Sequence, residues 1–211
     1  SFPPIMACFV LKFFFNIKLF IHEQNSIVGR VNKLFLKFSN KIFLNFNIKE
    51  KIRKKYHSKS FIVGTPENIN LNNSNETILN TNKEFTILVY GGSQGSEYLI
   101  KFITNLTNLI EDYKIKKCNF IIQCPKNLIL KIKKHFKTLE YNYTIKEYFY
   151  NMDLILKKTS LVISRSGAGT INDLIKYSIP SILIPLPFSK DNHQYENALV
   201  LKKLNLGIIL N

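Results

Sequence analysis

From residue 85 onward the chain alternates short apolar runs with longer segments whose apolar positions recur every three or four residues. The short runs at 85–90, 119–123, 143–148, 161–164, 181–185 and 207–210 read as strands. The segments 96–110, 126–136, 151–157, 170–177 and 192–203 read as helices. The same alternation stands earlier in the chain. Residues 4–15 suit a helix, and 17–22 a buried parallel strand. Residues 27–39 place Val31, Leu34, Phe35 and Phe38 at helical spacing. A strand over 41–46, a basic surface loop over 49–60 and a short strand over 61–63 complete the first part.

Residues 67–83 interrupt this pattern. They are polar and Asn-rich, cannot bury much surface, and read as a linker or long loop. Strands alternating with helices indicate βαβ units and parallel sheets on both sides of it. The expected architecture is therefore α/β with two Rossmann-like domains, at 1–66 and 67–211, the first incomplete. The chain opens on Ser1 rather than Met and closes on a strand entering a turn, so it is expected to be a fragment lacking both ends.

Composition changes this picture only modestly. The formal net charge is +16, but Arg occurs only at Arg30, Arg53 and Arg165. Base-edge recognition relies on the planar guanidinium fork, so nucleic acid is an unfavoured partner. The wealth of Lys, Asn, Ile, Phe and Tyr matches an AT-rich coding sequence, which puts much of the charge on solvated faces. A basic surface still suits an anionic membrane. Cys8, Cys118 and Cys124 are too few and scattered for a disulfide framework or a zinc site, and are expected as buried free thiols in a reducing cytoplasm. The apolar opening carries Lys12, Lys18, Asn16 and Pro3-Pro4, which argues against a membrane span.

Ligands in open α/β sheets sit at the carboxyl ends of strands, and four polar stretches fall there. Gly91-Gly92-Ser93-Gln94-Gly95 lies between a strand and a helix, where glycines let a phosphate approach the backbone and Ser93 adds a hydroxyl. It could equally be a tight turn. Ser164-Arg165-Ser166-Gly167-Ala168-Gly169-Thr170 repeats the device, with Arg165 and Thr170 as further donors. Asp173 follows one turn later, able to accept from ribose hydroxyls or merely to offset the helix dipole. In residues 185–197 a Pro-rich turn delivers Asp191, His193, Gln194 and Asn197, neutral and acidic groups suited to sugar hydroxyls; alternatively this is a polar helix start capped by Asp191 or Ser189. Residues 22–29 begin His22-Glu23-Gln24-Asn25, a polar cluster or a simple turn.

Taken together and in order, these stretches resemble the MurG family of glycosyltransferases. The family's segments look like HEQN-x-x-x-G, a GNP-R turn, GGSQG, SRSGA-x-T and D-x-Q-x-x-NA. Here they stand at residues 22–29, at Gly64-Thr65-Pro66, and at 91–95, 164–170 and 191–198. The resemblance implies a GT-B fold, two Rossmann-like domains whose parallel sheets face a cleft. It implies an inverting transfer of N-acetylglucosamine from UDP-N-acetylglucosamine to lipid I (undecaprenyl-pyrophosphoryl-MurNAc-pentapeptide), forming lipid II for peptidoglycan, with no catalytic metal and no other cofactor. The enzyme would be peripheral, on the cytoplasmic face of the bacterial inner membrane.

Carried over by motif, Ser93, Gln94, Arg165, Ala168, Gly169 and Thr170 would meet the diphosphate, and Phe149 the uracil through its backbone. Asp173 takes the place of a ribose-binding Glu, one methylene longer. His193, Gln194 and Asn197 would bind the sugar, and His22, Glu23 and Asn25 would face the cleft on the acceptor side. Two departures stand out. The GNP-R turn continues here as Glu67-Asn68, without its Arg, and the family's His proposed as catalytic base belongs to a segment preceding Ser1, so no catalytic base is assigned. The alternative reading is another GT-B UDP-sugar transferase with a lipid or small-molecule acceptor, or a non-catalytic fragment.

Overall fold

The computed structural model describes residues 2–66, 84–91, 97–112, 118–187 and 189–210. They form two parallel sheets. The smaller holds β1 (Phe20–Glu23), β2 (Lys41–Leu44) and β3 (Ser60–Ile62), in that order. The larger holds β4 (Phe85–Tyr90), β5 (Cys118–Gln123), β6 (Asn142–Lys146), β7 (Leu161–Ser164), β8 (Ser181–Leu183) and β9 (Gly207–Ile209). Its spatial order is β6-β5-β4-β7-β8-β9. The chain therefore winds outward from β4 to one edge, returns, and winds from β7 to the other. That order is doubly wound, and the direction of winding reverses between β4 and β7.

The helices are α1 (Phe2–Phe15), α2 (Arg30–Phe35), α3 (Glu97–Asp112), α4 (Ile129–Phe136), α5 (Met152–Leu156), α6 (Ala168–Tyr177) and α7 (His193–Lys203). Strand β4 shows how they cover the sheet. Ile87 and Val89 point into a core with Leu99 and Ile103 of α3 and Ile132 and Phe136 of α4. Leu88 and Tyr90 point the other way, toward Leu156, Ile171, Leu174, Ala198 and Leu201. A strand buried on both faces reads as a continuous apolar run, as this one does. The second core extends without a break to Ile21, Phe35, Ile42, Leu44 and Phe46 of the first part, so the two parts share buried apolar surface.

Several expectations need correction. Asn16 adopts a left-handed conformation (φ 52°) that ends α1, and β1 starts at Phe20 rather than at 17. The expected helix over 27–39 is only α2, followed by a 3-10 turn at Leu36–Phe38. The basic stretch 49–60 is not a plain loop. It forms 3-10 turns at Lys49–Lys51 and Lys54–Lys59, anchored by buried Ile48 and Ile52. Cys118 and Cys124 are buried, but Cys8 is exposed on α1. The linker reading of 67–83 lies outside the described residues. Among those described, no helix is long and apolar enough to cross a membrane.

Candidate functional site

The two glycine-rich motifs leave the two strands that flank the reversal point. Gly91 follows β4, and Arg165 follows β7. Tyr90 pairs in register with Ser164, so their side chains lie on the same face of the sheet, the one covered by α6. The hydroxyls of Tyr90, Ser164 and Ser166 are buried and have no hydrogen-bond partner among the described residues. Burial, with the Asp173 carboxylate nearby, pushes the Tyr90 phenol above its usual range. Thr170 lies close to it without closing a bond of ordinary geometry. An orphaned buried hydroxyl costs about 1–3 kcal/mol. Tyr90→Phe is therefore expected to leave stability unchanged or raise it by up to about 1 kcal/mol in urea denaturation. A loss of that size would instead assign the hydroxyl a bonded partner.

Helix α6 begins after Gly167, whose backbone is extended, and no side chain caps it. Its first N–H groups thus carry the partial positive charge of an uncapped helix start. A Cβ placed on Gly169 would meet no protein atom within 4 Å. Gly169 lines a cavity of about 730 Å³ together with Asn172, Asp173 and Lys176 of α6 and Asp153 of α5. The opposite wall comes from the first part: Asn45 and Phe46 after β2, and Val63, Gly64, Thr65 and Pro66 after β3. A space of this size suits a small-molecule ligand.

A polar relay crosses the cavity rim. Asn45 Nδ2 donates to Asn172 Oδ1 (3.1 Å), and Asn172 Nδ2 donates to Thr65 Oγ1 (2.7 Å). Sequence reading missed Asn45 and Asn172, each a lone polar side chain until the fold brings its partners close, and it marked Thr65 only as part of the turn Gly64-Thr65-Pro66. Two ion pairs, Arg30–Asp191 and Lys51–Glu196, also join the two parts. His22 Nε2 lies 2.9 Å from the Gly64 carbonyl, tying the end of β1 to the turn after β3.

Glu23 is buried rather than turned to the cavity (3% exposed). Its carboxylate accepts the Asn25 and Gly29 N–H groups (3.0 and 2.9 Å) and Asn32 Nδ2 (2.8 Å). That folds residues 24–29 into a turn directed at α7. Asn197, fully buried on α7, meets it: Oδ1 accepts the Ser26 N–H at 2.8 Å, and Nδ2 donates to Asn25 Oδ1 at 3.1 Å and to the Ser166 carbonyl at 3.2 Å.

The start of α7 differs from both suggested caps. Asn192 is the N-cap, with no side-chain capping bond, and Asp191 and Asn192 are both left-handed (φ 57° and 54°). Asp191 turns to Arg30 instead, while Ser189 Oγ stands 3.5 Å from the Gln194 N–H. Gln194 Oε1 accepts the Leu186 N–H at 2.8 Å, and His193 opens the helix beside it. Arg165 Nη1 donates to the carbonyls of Ile184 and Pro185, both at 2.9 Å, and its guanidinium lies over the Tyr98 ring. Phe149 turns its ring inward, with Lys146 Nζ 5.8 Å from its centroid. Ala168 and Thr170 sit in the first turn of α6. Ser93 and Gln94 lie outside the described residues.

A profile of the glycosyltransferase family 28 C-terminal domain matches residues 86–211. A protein of Rickettsia felis named UDP-N-acetylglucosamine--N-acetylmuramyl-(pentapeptide) pyrophosphoryl-undecaprenol N-acetylglucosamine transferase is 34% identical, over 97% of this chain and 59% of its own length. The protein of the same name from Rickettsia bellii is 32% identical, over 97% and 58%. The chain thus spans less than two thirds of these relatives. Among solved structures, Acinetobacter baumannii MurG aligns with a TM-score of 0.76 at 19% identity, covering 96% of this chain and 56% of that one. UDP-GlcNAc 2-epimerase from Methanocaldococcus jannaschii aligns at 0.58 and 12%, over 98% and 63%. These likenesses show a GT-B type of α/β fold. With the ordered motifs and the matched domain, they place this chain in glycosyltransferase family 28 and, within it, in the MurG family.

Proposed function

We propose that this chain supplies the donor-binding part and one wall of the acceptor cleft of an inverting N-acetylglucosaminyltransferase, moving the sugar from UDP-N-acetylglucosamine to lipid I to form lipid II. The observation that carries this reading is the cavity between the two parts: Asp173 and Gly169 lie on its wall, beside the reversal point of the larger sheet. The diphosphate would lie against the uncapped N–H groups of α6 and be stabilised as it leaves, by dipoles already in place before the reaction. The ribose hydroxyls would bond Asp173, and the sugar would lie toward His193 and Gln194 at the start of α7. Ser93 and Gln94 are proposed to complete the diphosphate contacts. The acceptor would enter along the first part, whose lysines favour an anionic membrane surface at the cytoplasmic face.

The test is calorimetric titration with UDP-N-acetylglucosamine, UDP-glucose and UDP. Tighter binding of UDP-N-acetylglucosamine than of UDP-glucose is expected. Equal affinity for the two sugars would favour another UDP-sugar transferase, and no binding of UDP by folded protein would refute a donor site here.

A further inference from the structure

Asn197 is the sugar ligand that the motif implies, yet its amide is occupied by the opposite part of the chain. Both Nδ2 hydrogens are donated, to Asn25 Oδ1 and to the Ser166 carbonyl, and Oδ1 accepts the Ser26 N–H. Ser26 is gripped from its other side as well, since Lys51 Nζ donates to its carbonyl at 3.1 Å and to Glu196 Oε2 at 2.6 Å. The turn that presents Asn25 and Ser26 is itself shaped by the buried Glu23 carboxylate. An amide with both hydrogens spent cannot donate to a sugar hydroxyl without giving one up.

We propose that the Asn25–Ser26 turn is a latch that competes with the donor sugar for the Asn197 amide, and that Glu23 is the residue that positions it. Without sugar, Asn197 ties the two parts together through the turn. When the sugar arrives, its hydroxyls take over Asn197, the Asn25 and Ser26 bonds break, and the turn is freed on the acceptor side of the cleft. Acceptor-side geometry thereby depends on whether the donor sugar is bound, not merely on whether a nucleotide is. This inference rests on the donor reading above.

Competition has a signature that simple sugar binding lacks. Asn25→Ala removes a rival for Asn197 and should tighten UDP-N-acetylglucosamine by about five-fold, the factor one net hydrogen bond supplies. UDP, which has no sugar, should bind as before. Glu23→Gln should act in the same direction, because it turns an amide N–H₂ toward N–H donors and so displaces the turn. Hydrogen exchange at the Ser26 amide follows the latch directly: it should be protected in the free protein, exposed in Asn197→Ala, and exposed in wild type on saturation with UDP-N-acetylglucosamine but not with UDP. Weaker or unchanged binding of UDP-N-acetylglucosamine in Asn25→Ala overturns the proposal, as does a Ser26 amide equally protected with both ligands. Failure of wild type to bind UDP at all would mark the donor reading as wrong; fast Ser26 exchange in the free protein would sink the latch alone.

Discussion

Asp173→Ala is expected to weaken UDP and UDP-N-acetylglucosamine binding in parallel, by about 30-fold or more. A carboxylate accepting two ribose hydroxyls makes charge-assisted hydrogen bonds, and losing the pair costs about 2 kcal/mol or more, which is about 30-fold in affinity. The losses should match between the two ligands because both carry the ribose. Affinities are compared at a temperature where each variant is folded, so a stability effect does not enter the comparison. Asp173→Asn keeps one acceptor oxygen and should fall between. Calorimetry on the three proteins, with a urea melt for each, checks all of this. Unchanged affinity in Asp173→Ala would remove Asp173 from the donor site. A loss confined to UDP-N-acetylglucosamine would move it from the ribose to the sugar.

The larger sheet was legible because its signals are local. Most strands of the larger sheet are short apolar runs, β6 (Asn142–Lys146) being the mixed exception, and α3, α4, α6 and α7 follow at ordinary loop distances, so strand and helix positions matched to within a few residues. The first part was less legible. A single left-handed Asn16 shifted β1, and Ile48 and Ile52, hidden among lysines, turned an expected loop into anchored 3-10 turns. Among the site residues, backbone placement followed from the glycine spacing, since Gly169 and Thr170 open α6 just after β7. Side-chain partners did not follow. Glu23 was expected to face the cleft, but the amides of Asn25 and Gly29 lie within reach of a side chain folded back on its own turn. Asn45, Thr65 and Asn172 meet over separations of 107 and 127 residues, which no local pattern encodes. The same holds for Asn25 and Asn197, whose motifs were legible but whose contact was not.

Arg165 offers the sharpest separation of a ligand from a support. Its guanidinium is buried between the Tyr98 ring and the end of β8, and both hydrogens of Nη1 go to the carbonyls of Ile184 and Pro185. Burial lowers its pKa from the usual arginine value, without bringing deprotonation within reach. These carbonyls open the segment that carries the chain to α7, so the side chain fixes where that helix starts. A lysine brings the charge but not the planar fork, and it cannot both stack on the ring and hold two carbonyls. Arg165→Lys is expected to cost about 2–3 kcal/mol, from one or two lost bonds to a charged group. In a chain of this size that lowers the melting temperature by about 4–12 °C. A direct phosphate ligand would behave differently, with UDP affinity falling by tenfold or more and stability barely moving. The support role predicts the reverse, a clear drop in the melt and less than about a fivefold loss of UDP affinity at a temperature where the variant is folded, one net hydrogen bond's worth at most. Differential scanning calorimetry and a UDP titration on one preparation decide between them, and a large affinity loss with an unshifted melt would return Arg165 to the diphosphate.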